Sequence, residues 1–180
     1  MVARFNLRYL RNVSYHHPRL AILGPHDRDH WTLSCNNIEG VSLADIRAGR
    51  FRLQELTGYD DALFPASFSK VTVLILIHGF KVFRRVKNVQ CVRHGVPVPV
   101  PRHKVVRCIA EVMLAFLDQV STMVLSGPTD DHDGSFMFGP GGVQIEHLYL
   151  LELHRYGKTL IPVFGYTPPD AGLTVMVFGQ

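Results

Sequence analysis

Apolar and polar positions alternate in blocks that predict a succession of strands and helices from residue 71 onward. Residues 71–77 and 159–164 are continuous β-branched and aliphatic runs of strand length, typical of strands that are covered on both faces. Residues 103–120 form the clearest helix, because apolar side chains recur on one stripe at helical spacing. That stripe contains Val105, Ile109, Val112, Phe116 and Val120.

The remaining segments complete a βαβ pattern. Short apolar strands are predicted at 122–125 and 173–178. Residues 143–156 are apolar nearly all round, which predicts a well-buried helix that ends at Gly157. Strand, helix, strand, helix and two further strands then follow one another, with connections of βαβ length. This order predicts an α/β fold, a three-layer sandwich with a mainly parallel, Rossmann- or flavodoxin-like sheet.

Residues 1–70 are harder to interpret, and we assign them to the same single domain as the βαβ core at 71–180. Ser42 and Asp45 form a capping pair for a helix that is predicted to run to about residue 57. Residues 80–101 are predicted to be an extended excursion, because the alternating prolines at its end exclude a helix and a regular central strand.

Composition agrees with one compact domain. The chain has 180 residues, of which 47% are hydrophobic and 19% charged, enough to bury a sizeable core. No apolar run reaches the roughly 18–20 residues of a membrane helix. Cys35, Cys91 and Cys108 are far apart and show no C-x-x-C spacing, which favours free thiols in a reducing compartment. We therefore expect a cytoplasmic protein without a membrane partner.

Positive charge is concentrated in one part of the chain, although the net charge is only +4. Residues 62–110 contain no acidic residue. Such a block favours an anionic partner, either a nucleotide or other phosphorylated small molecule or a nucleic acid. A solvated face with side-chain stems packed on the core is the equally weighted alternative. The basic residues of this block are Lys70, Lys81, Arg84, Arg85, Lys87, Arg93, Arg102, Lys104 and Arg107.

Residues 123–164 carry the densest candidate chemistry. Ser126 and Gly127 end the predicted strand 122–125, an acidic, glycine-rich loop follows, and Glu146 lies in the first turn of the next predicted helix. Open α/β sheets bind ligands at this end of their strands, and a helix N-terminus offers free N–H groups to a phosphate. The alternative for Glu146 is a favourable interaction with the helix dipole alone, at about 0.3–1 kcal/mol.

The segment 117–164 resembles the C-terminal half of the nucleoside 2-deoxyribosyltransferase-like families. The matching residues are 133–134 (DG), Glu146 and 157–162 (GKTLIP). Residues 140–142 (PGG), followed by Glu146, are also similar to the motif of cytokinin-activating phosphoribohydrolases, although the G-T pair of that motif is absent. TIR-type NAD hydrolases place a glutamate similarly. The resemblance implies cleavage or transfer at an N-glycosidic bond, with Glu146 as the nucleophile.

Further roles complete this hypothesis. Asp131 or Asp133 would orient the sugar or act as the acid. The residues predicted to hold a phosphate are Ser126, Gly127, Gly141, Gly142, Arg84, Arg85 and Arg93.

No metal and no cofactor are predicted. His26 and His30 flank Asp27 and Asp29, and His132 stands in the acidic loop, but neither cluster has a recognised ligand spacing. Solvated loop residues are the favoured interpretation of both clusters. His147 and His154, seven apart on the predicted helix, are interpreted as interior histidines.

Two rival motifs are weaker. Residues 76–80 (LIHGF) resemble the oxyanion-hole segment of α/β-hydrolases, but the G-x-S-x-G nucleophile elbow is absent from the sequence. Residues 93–95 (RHG) resemble the R-H-G of histidine phosphatases, but they lie in the basic excursion rather than directly after the first strand.

The sequence thus predicts a nucleotide-processing enzyme that cleaves or transfers at an N-glycosidic bond. One alternative is a non-catalytic module of the same fold that senses or sequesters a nucleotide. Another is a nucleic-acid-binding protein that uses the basic segment 81–107. Whether the chain forms a homo-oligomer is left open.

Overall fold

The computed structural model describes residues 7–10, 28–121, 138–140 and 142–168. Short 3₁₀ turns lie at Leu53–Glu55 and Ile145–His147. The strands and helices, in chain order, are β1 (Arg8–Tyr9), β2 (Arg28–Thr32), β3 (Ser34–Cys35), β4 (Ile38–Glu39), β5 (Val41–Ser42), α1 (Leu43–Arg47), β6 (Lys70–Ile75), β7 (Phe83–Asn88), β8 (Gln90–Arg93), β9 (Val96–Pro99), α2 (Arg102–Ser121), β10 (Leu148–Tyr156) and β11 (Thr159–Tyr166).

One mixed sheet organises these elements. Strands β2, β10, β11, β6 and β7 lie side by side in this order, while β1 pairs with β11 and β5 pairs with β10. Within the described part of the chain, β11 and β6 form the one parallel pair of this sheet, and its other pairs are antiparallel. Strands β3 and β4, and strands β8 and β9, form separate hairpins.

The predicted three-layer α/β sandwich with a mainly parallel sheet is therefore wrong. Its second helix, predicted at 143–156, is instead a 3₁₀ turn followed by the strand β10. A leucine-rich segment is compatible with a buried helix and with a strand, so periodicity alone did not separate the two. Gly157, which was interpreted as a helix stop, has φ 56° and lies in the tight turn that joins β10 to β11.

A β-bulge at Leu151 divides β10 into two halves. Leu150 pairs with Phe164, and Glu152 pairs with Val163, so Leu151 is an extra residue on this strand. Its fully buried side chain packs where Gly40 and Gly165 leave room, since a Cβ on either glycine would lie 2.7 Å from a methyl group of Leu151.

The bulge shifts the alternation of β10. Before the bulge, Leu148 and Leu150 face the main core. After the bulge, Leu153 and Arg155 are buried on that same side. Glu152 and His154 consequently lie on the opposite face of the sheet.

Helix α2 confirms the helix that was predicted at 103–120. Its apolar stripe is buried against the sheet, and Phe116 makes edge-on ring contacts with Phe80, Phe83 and Phe138, each with centroids 5.7 Å apart. Its first two N–H groups are satisfied by the turn at residues 59–61, since Arg102 N donates to Asp61 O and His103 N donates to Tyr59 O. The helix thus covers one face of the sheet.

Other predictions are confirmed in part. The strands predicted at 71–77 and 159–164 are present as β6 and β11. Ser42 caps α1 as expected, accepting from Asp45 N at 3.2 Å, but the helix ends at Arg47 rather than near residue 57. The excursion 80–101 contains β7 and the β8–β9 hairpin, with its prolines outside the main sheet. The predicted strands at 122–125 and 173–178 lie outside the described residues.

No helix in the described ranges is long and apolar enough to cross a membrane.

Candidate functional site

The two faces of the sheet have different environments. Val71, Val73 and Ile75 of β6 belong to the main core beneath α2. Leu74 and Leu76, with Ile161 of β11, form a small separate cluster on the other face, which we call the outer face. On this outer face, polar side chains from β2 and β10 meet.

His30, Glu152 and His154 form a compact cluster on the outer face. The Glu152 carboxylate oxygen Oε2 lies 3.2 Å from His30 Nε2 and 2.8 Å from His154 Nε2. The two imidazole rings lie beside each other, with centroids 4.5 Å apart and planes inclined at 34°. One ligand atom from each of the three residues falls within 4.8 Å of the others. One nitrogen, one oxygen and another nitrogen thus converge on a small volume.

Strand register explains why these three side chains meet. His30 of β2 is directly opposite His154 of β10, and cross-strand partners share a face. Glu152 precedes His154 by two residues, which places both on the same side of β10. The bulge at Leu151 turns that side outward rather than into the core.

An ion pair on the opposite face anchors the same two strands. Asp29 is directly opposite Arg155, and its carboxylate pairs with the guanidinium of Arg155. Arg155 is only 2% exposed, and its Nη1 also donates to Gly157 O at 3.1 Å. Because Asp29 and Arg155 are the sequence neighbours of His30 and His154, this pair holds the two histidines in register.

The donor set and spacing suit a transition-metal ion. In a tetrahedral zinc site, ligand atoms about 2.0–2.2 Å from the metal lie about 3.3 Å from one another. The separations of Glu152 Oε2 from His30 Nε2 and His154 Nε2, 3.2 and 2.8 Å, are close to that value. The side chain of His30 is 52% exposed, so an ion has access from solvent. Two histidines and one carboxylate leave further coordination positions open.

Glu146, the central residue of the sequence hypothesis, lies elsewhere. It is exposed in the 3₁₀ turn before β10 rather than in the first turn of a long helix. It does line an open groove of about 270 Å³, together with Arg47 of α1 and Asp118 of α2. Two carboxylates and a guanidinium therefore share this groove.

The other predicted site residues are not brought to that groove within the described residues. Gly142 precedes the 3₁₀ turn, with its N–H donating to Gly139 O, and it does not line the groove. Arg84 and Arg85 are exposed on β7, and Arg93 is exposed on β8. The remaining predicted residues lie outside the described ranges; these are Ser126, Gly127, Asp131, Asp133 and Gly141.

Sequence reasoning placed His30 and His154 in different contexts and missed their contact. His154 was assigned to a helix with His147, whereas His147 Nδ1 accepts from Gln144 N in the 3₁₀ turn and His154 lies on a strand. The available signal was the E-x-H spacing of residues 152–154, which puts both ligands on one side only if the segment is a strand.

The thiols agree with their prediction: Cys35, Cys91 and Cys108 are free. Burial is the main cause that raises the pKa of Cys108, and the nearby Lys87 acts in the opposite direction. Burial also raises the pKa of Cys35, with a further contribution from Glu55. Cys35 and Cys108 are therefore kept as neutral thiols over a wider pH range than a free cysteine.

Fold and site together define a mixed β-sheet protein, covered by a helix on one face, with a His₂Glu cluster on the other. Comparisons with protein families, curated proteins and solved structures find no match to the chain.

Proposed function

We propose that the protein binds a divalent transition-metal ion of the zinc class through His30, Glu152 and His154. The observation that carries the proposal is the convergence of three ligand atoms of suitable type within 4.8 Å of one another. Imidazole and carboxylate are ligands that zinc accepts, and a His₂Glu set is typical of zinc sites that keep a position open for water or substrate. Such an ion would polarise a bound oxygen and lower the pKa of bound water.

The ion pair on the opposite face of the sheet and the contacts within the cluster both support a binding site here. The buried pair of Asp29 and Arg155 fixes the relative position of β2 and β10, so little ordering is needed when an ion arrives. Glu152 already contacts both imidazoles, and an ion would replace those two hydrogen bonds by three stronger metal–ligand bonds.

The test is a titration of chelator-treated protein with Zn²⁺ by calorimetry, and with Co²⁺ by visible absorption. We expect one ion per chain, with affinity that falls on acidification because protons compete for the imidazole nitrogens. At a free Zn²⁺ concentration one hundred times the dissociation constant, the free energy of unfolding should rise by about 2.7 kcal/mol.

Variants separate this site from adventitious histidine binding. His154→Ala and Glu152→Gln should each weaken binding by more than the ~10–100-fold that loss of a supporting residue costs. His94→Asn is the matched control, because His94 is an exposed histidine at φ 50° and asparagine tolerates that backbone conformation. Equal zinc affinity in all three variants and the wild type would overturn the proposal.

Cleavage of an N-glycosidic bond at Glu146 is a second proposal, and the groove shared by Glu146, Asp118 and Arg47 favours it. A guanidinium suits an anionic nucleotide, and two carboxylates can divide the roles of nucleophile and acid. Purified protein is incubated with NAD and with nucleoside monophosphates, and the release of free base is measured by chromatography.

Loss of base release in Glu146→Gln, with activity kept in Glu55→Gln, the same change at a glutamate that does not line the groove, would support this second proposal. Release that is unchanged in Glu146→Gln would contradict it. Thermal stabilisation by a nucleotide without any product would instead favour a nucleotide-binding module. The free thiols fit the cytoplasmic location expected from the sequence, which stays a prediction.

A further inference from the structure

Strand β7 has one main-chain edge without a strand partner in the described part of the chain. It is the last strand of the sheet, next to β6. In an antiparallel pair, alternate residues bond across to the partner, and those between them point away. Val89 N, just after β7, donates to Ser69 O, just before β6, so Val89 bonds across to the partner. Thr72 of β6, which is opposite Val86, instead donates away from β7, to Lys158 O just before β11. The main-chain groups of Arg84, Val86 and Asn88 therefore point outward from the sheet.

The side chains along this edge are basic and exposed. Arg84 is opposite Leu74 and thus lies on the outer face, whereas Arg85, opposite Val73, lies on the face that carries α2. Lys87 shares the second face and reaches Glu111 Oε2 at 3.1 Å. Val86 lies between these cations and is 55% exposed. Cations thus border the free edge on both faces of the sheet.

Exposed valines also lie in the chain segments on either side of β7. Val92 and Val96 of β8 and β9 are 71% and 59% exposed, and Val82 before β7 is 54% exposed. Exposed valines beside an open strand edge are suited to a second strand, whose side chains would cover them. Phe83, the aromatic residue of β7, is buried, so the strand offers no aromatic platform for nucleic-acid bases.

We propose that the outward edge of β7 binds an acidic, extended segment of a partner protein as an additional β-strand. The free N–H and C=O groups supply the hydrogen bonds of β-augmentation, and Arg84, Arg85 and Lys87 supply charge complementarity on both faces. Pairing of two copies through this edge is disfavoured, since like charges would then lie opposite one another.

Arg85 has a specific part in this arrangement. Its guanidinium lies 4.1 Å from the ring centroid of Phe83, and its Nη1 donates to Arg84 O at 3.0 Å. The side chain thereby occupies one of the outward carbonyls when the edge is empty. An acidic side chain on an incoming strand draws the guanidinium away and leaves that carbonyl free for a backbone N–H.

The probe is an acetylated, amidated and fluorescein-labelled peptide of alternating glutamate and valine, as long as β7. Its binding to the full chain is followed by fluorescence anisotropy. We expect saturable binding that weakens as salt is raised, because exposed charges are screened. The same peptide with every backbone amide nitrogen methylated should bind at least about tenfold more weakly, because neither of its edges can then donate main-chain hydrogen bonds.

A matched pair of variants tests the edge from the protein side. Val86→Pro removes an outward N–H without removing a bond to β6, and proline is tolerated in that position of an edge strand. Val86→Ala is the control, because it removes the branched side chain but keeps the N–H. Val86→Pro should weaken peptide binding about tenfold relative to Val86→Ala. Circular dichroism checks the fold, and the methylated peptide tests the same bonds on unaltered protein.

Three outcomes would overturn the proposal. The first is no binding of the peptide at low salt. The second is equal binding of the methylated and unmethylated peptides, which would mean attraction by charge alone. The third is a single-stranded oligonucleotide that binds more tightly than the peptide, loses affinity in Arg84→Gln and is unaffected by Val86→Pro. That last pattern is expected of a nucleic-acid surface.

Discussion

Replacing Phe116 with alanine should lower the free energy of unfolding by about 3–5 kcal/mol, as expected for a buried aromatic that leaves a cavity. Phe116 is 1% exposed and touches three other aromatic rings that come from β7 and from the segments before β7 and before β10. These edge-on contacts join α2 to the sheet, so the surrounding side chains have little freedom to fill the space.

Urea denaturation followed by circular dichroism measures this effect. Val92→Ala is the control, since Val92 is 71% exposed, and its change should stay within about 0.5 kcal/mol. A loss below about 1 kcal/mol in Phe116→Ala would mean that the helix does not pack on the sheet through this ring.

The second large effect is expected at Asp29. Asp29→Ala removes the Asp29 carboxylate from the buried guanidinium of Arg155, which costs about 3 kcal/mol. We take the lower end of the usual range because the Asp29 side chain is itself 39% exposed, and because Gly157 O still accepts from Arg155. Arg155→Met should cost less, since the remaining Asp29 carboxylate can be hydrated.

A double-mutant cycle over the same pair makes the reason measurable. If the cost of Asp29→Ala comes from an uncompensated buried charge, adding Arg155→Met should restore most of the lost stability. Additive losses in the double variant would contradict this explanation. Both single variants should also weaken zinc binding, because Asp29 and Arg155 hold His30 opposite His154.

Local sequence patterns predicted the elements whose signals are local. Helix α2 has an apolar stripe with helical period, and β6 and β11 are β-branched runs bounded by turn residues, so all three were found. The segment 148–156 was not, because its leucines favour helix in isolation and the extra residue at Leu151 interrupts the alternation of a half-exposed strand. That one error changed the predicted fold class, since an antiparallel hairpin replaced a helical crossover.

The candidate metal site depends on information that is not local. His30 and His154 are far apart in sequence, and only the register of β2 against β10 brings them together. Even with β10 assigned as a strand, the extra residue at Leu151 decides which side Glu152 occupies, and nothing in the leucine-rich run marks it. In the structure, Glu146 shares a groove with Asp118 and Arg47, which come from helices elsewhere in the chain. The sequence alone predicted Asp131 or Asp133 as its partner.

The bulge at Leu151 also limits how this chain can vary in length. A residue gained or lost between Leu151 and His154 would exchange the two sides of the strand that follows, sending Glu152 or His154 toward α2 and Leu153 toward solvent. Gly40 and Gly165 share this limit, because their missing side chains make the space for the extra leucine. Homologues that keep the cluster should therefore keep a constant spacing from Leu151 to His154 and small residues at both glycine positions, while the loops outside the sheet are free to lengthen.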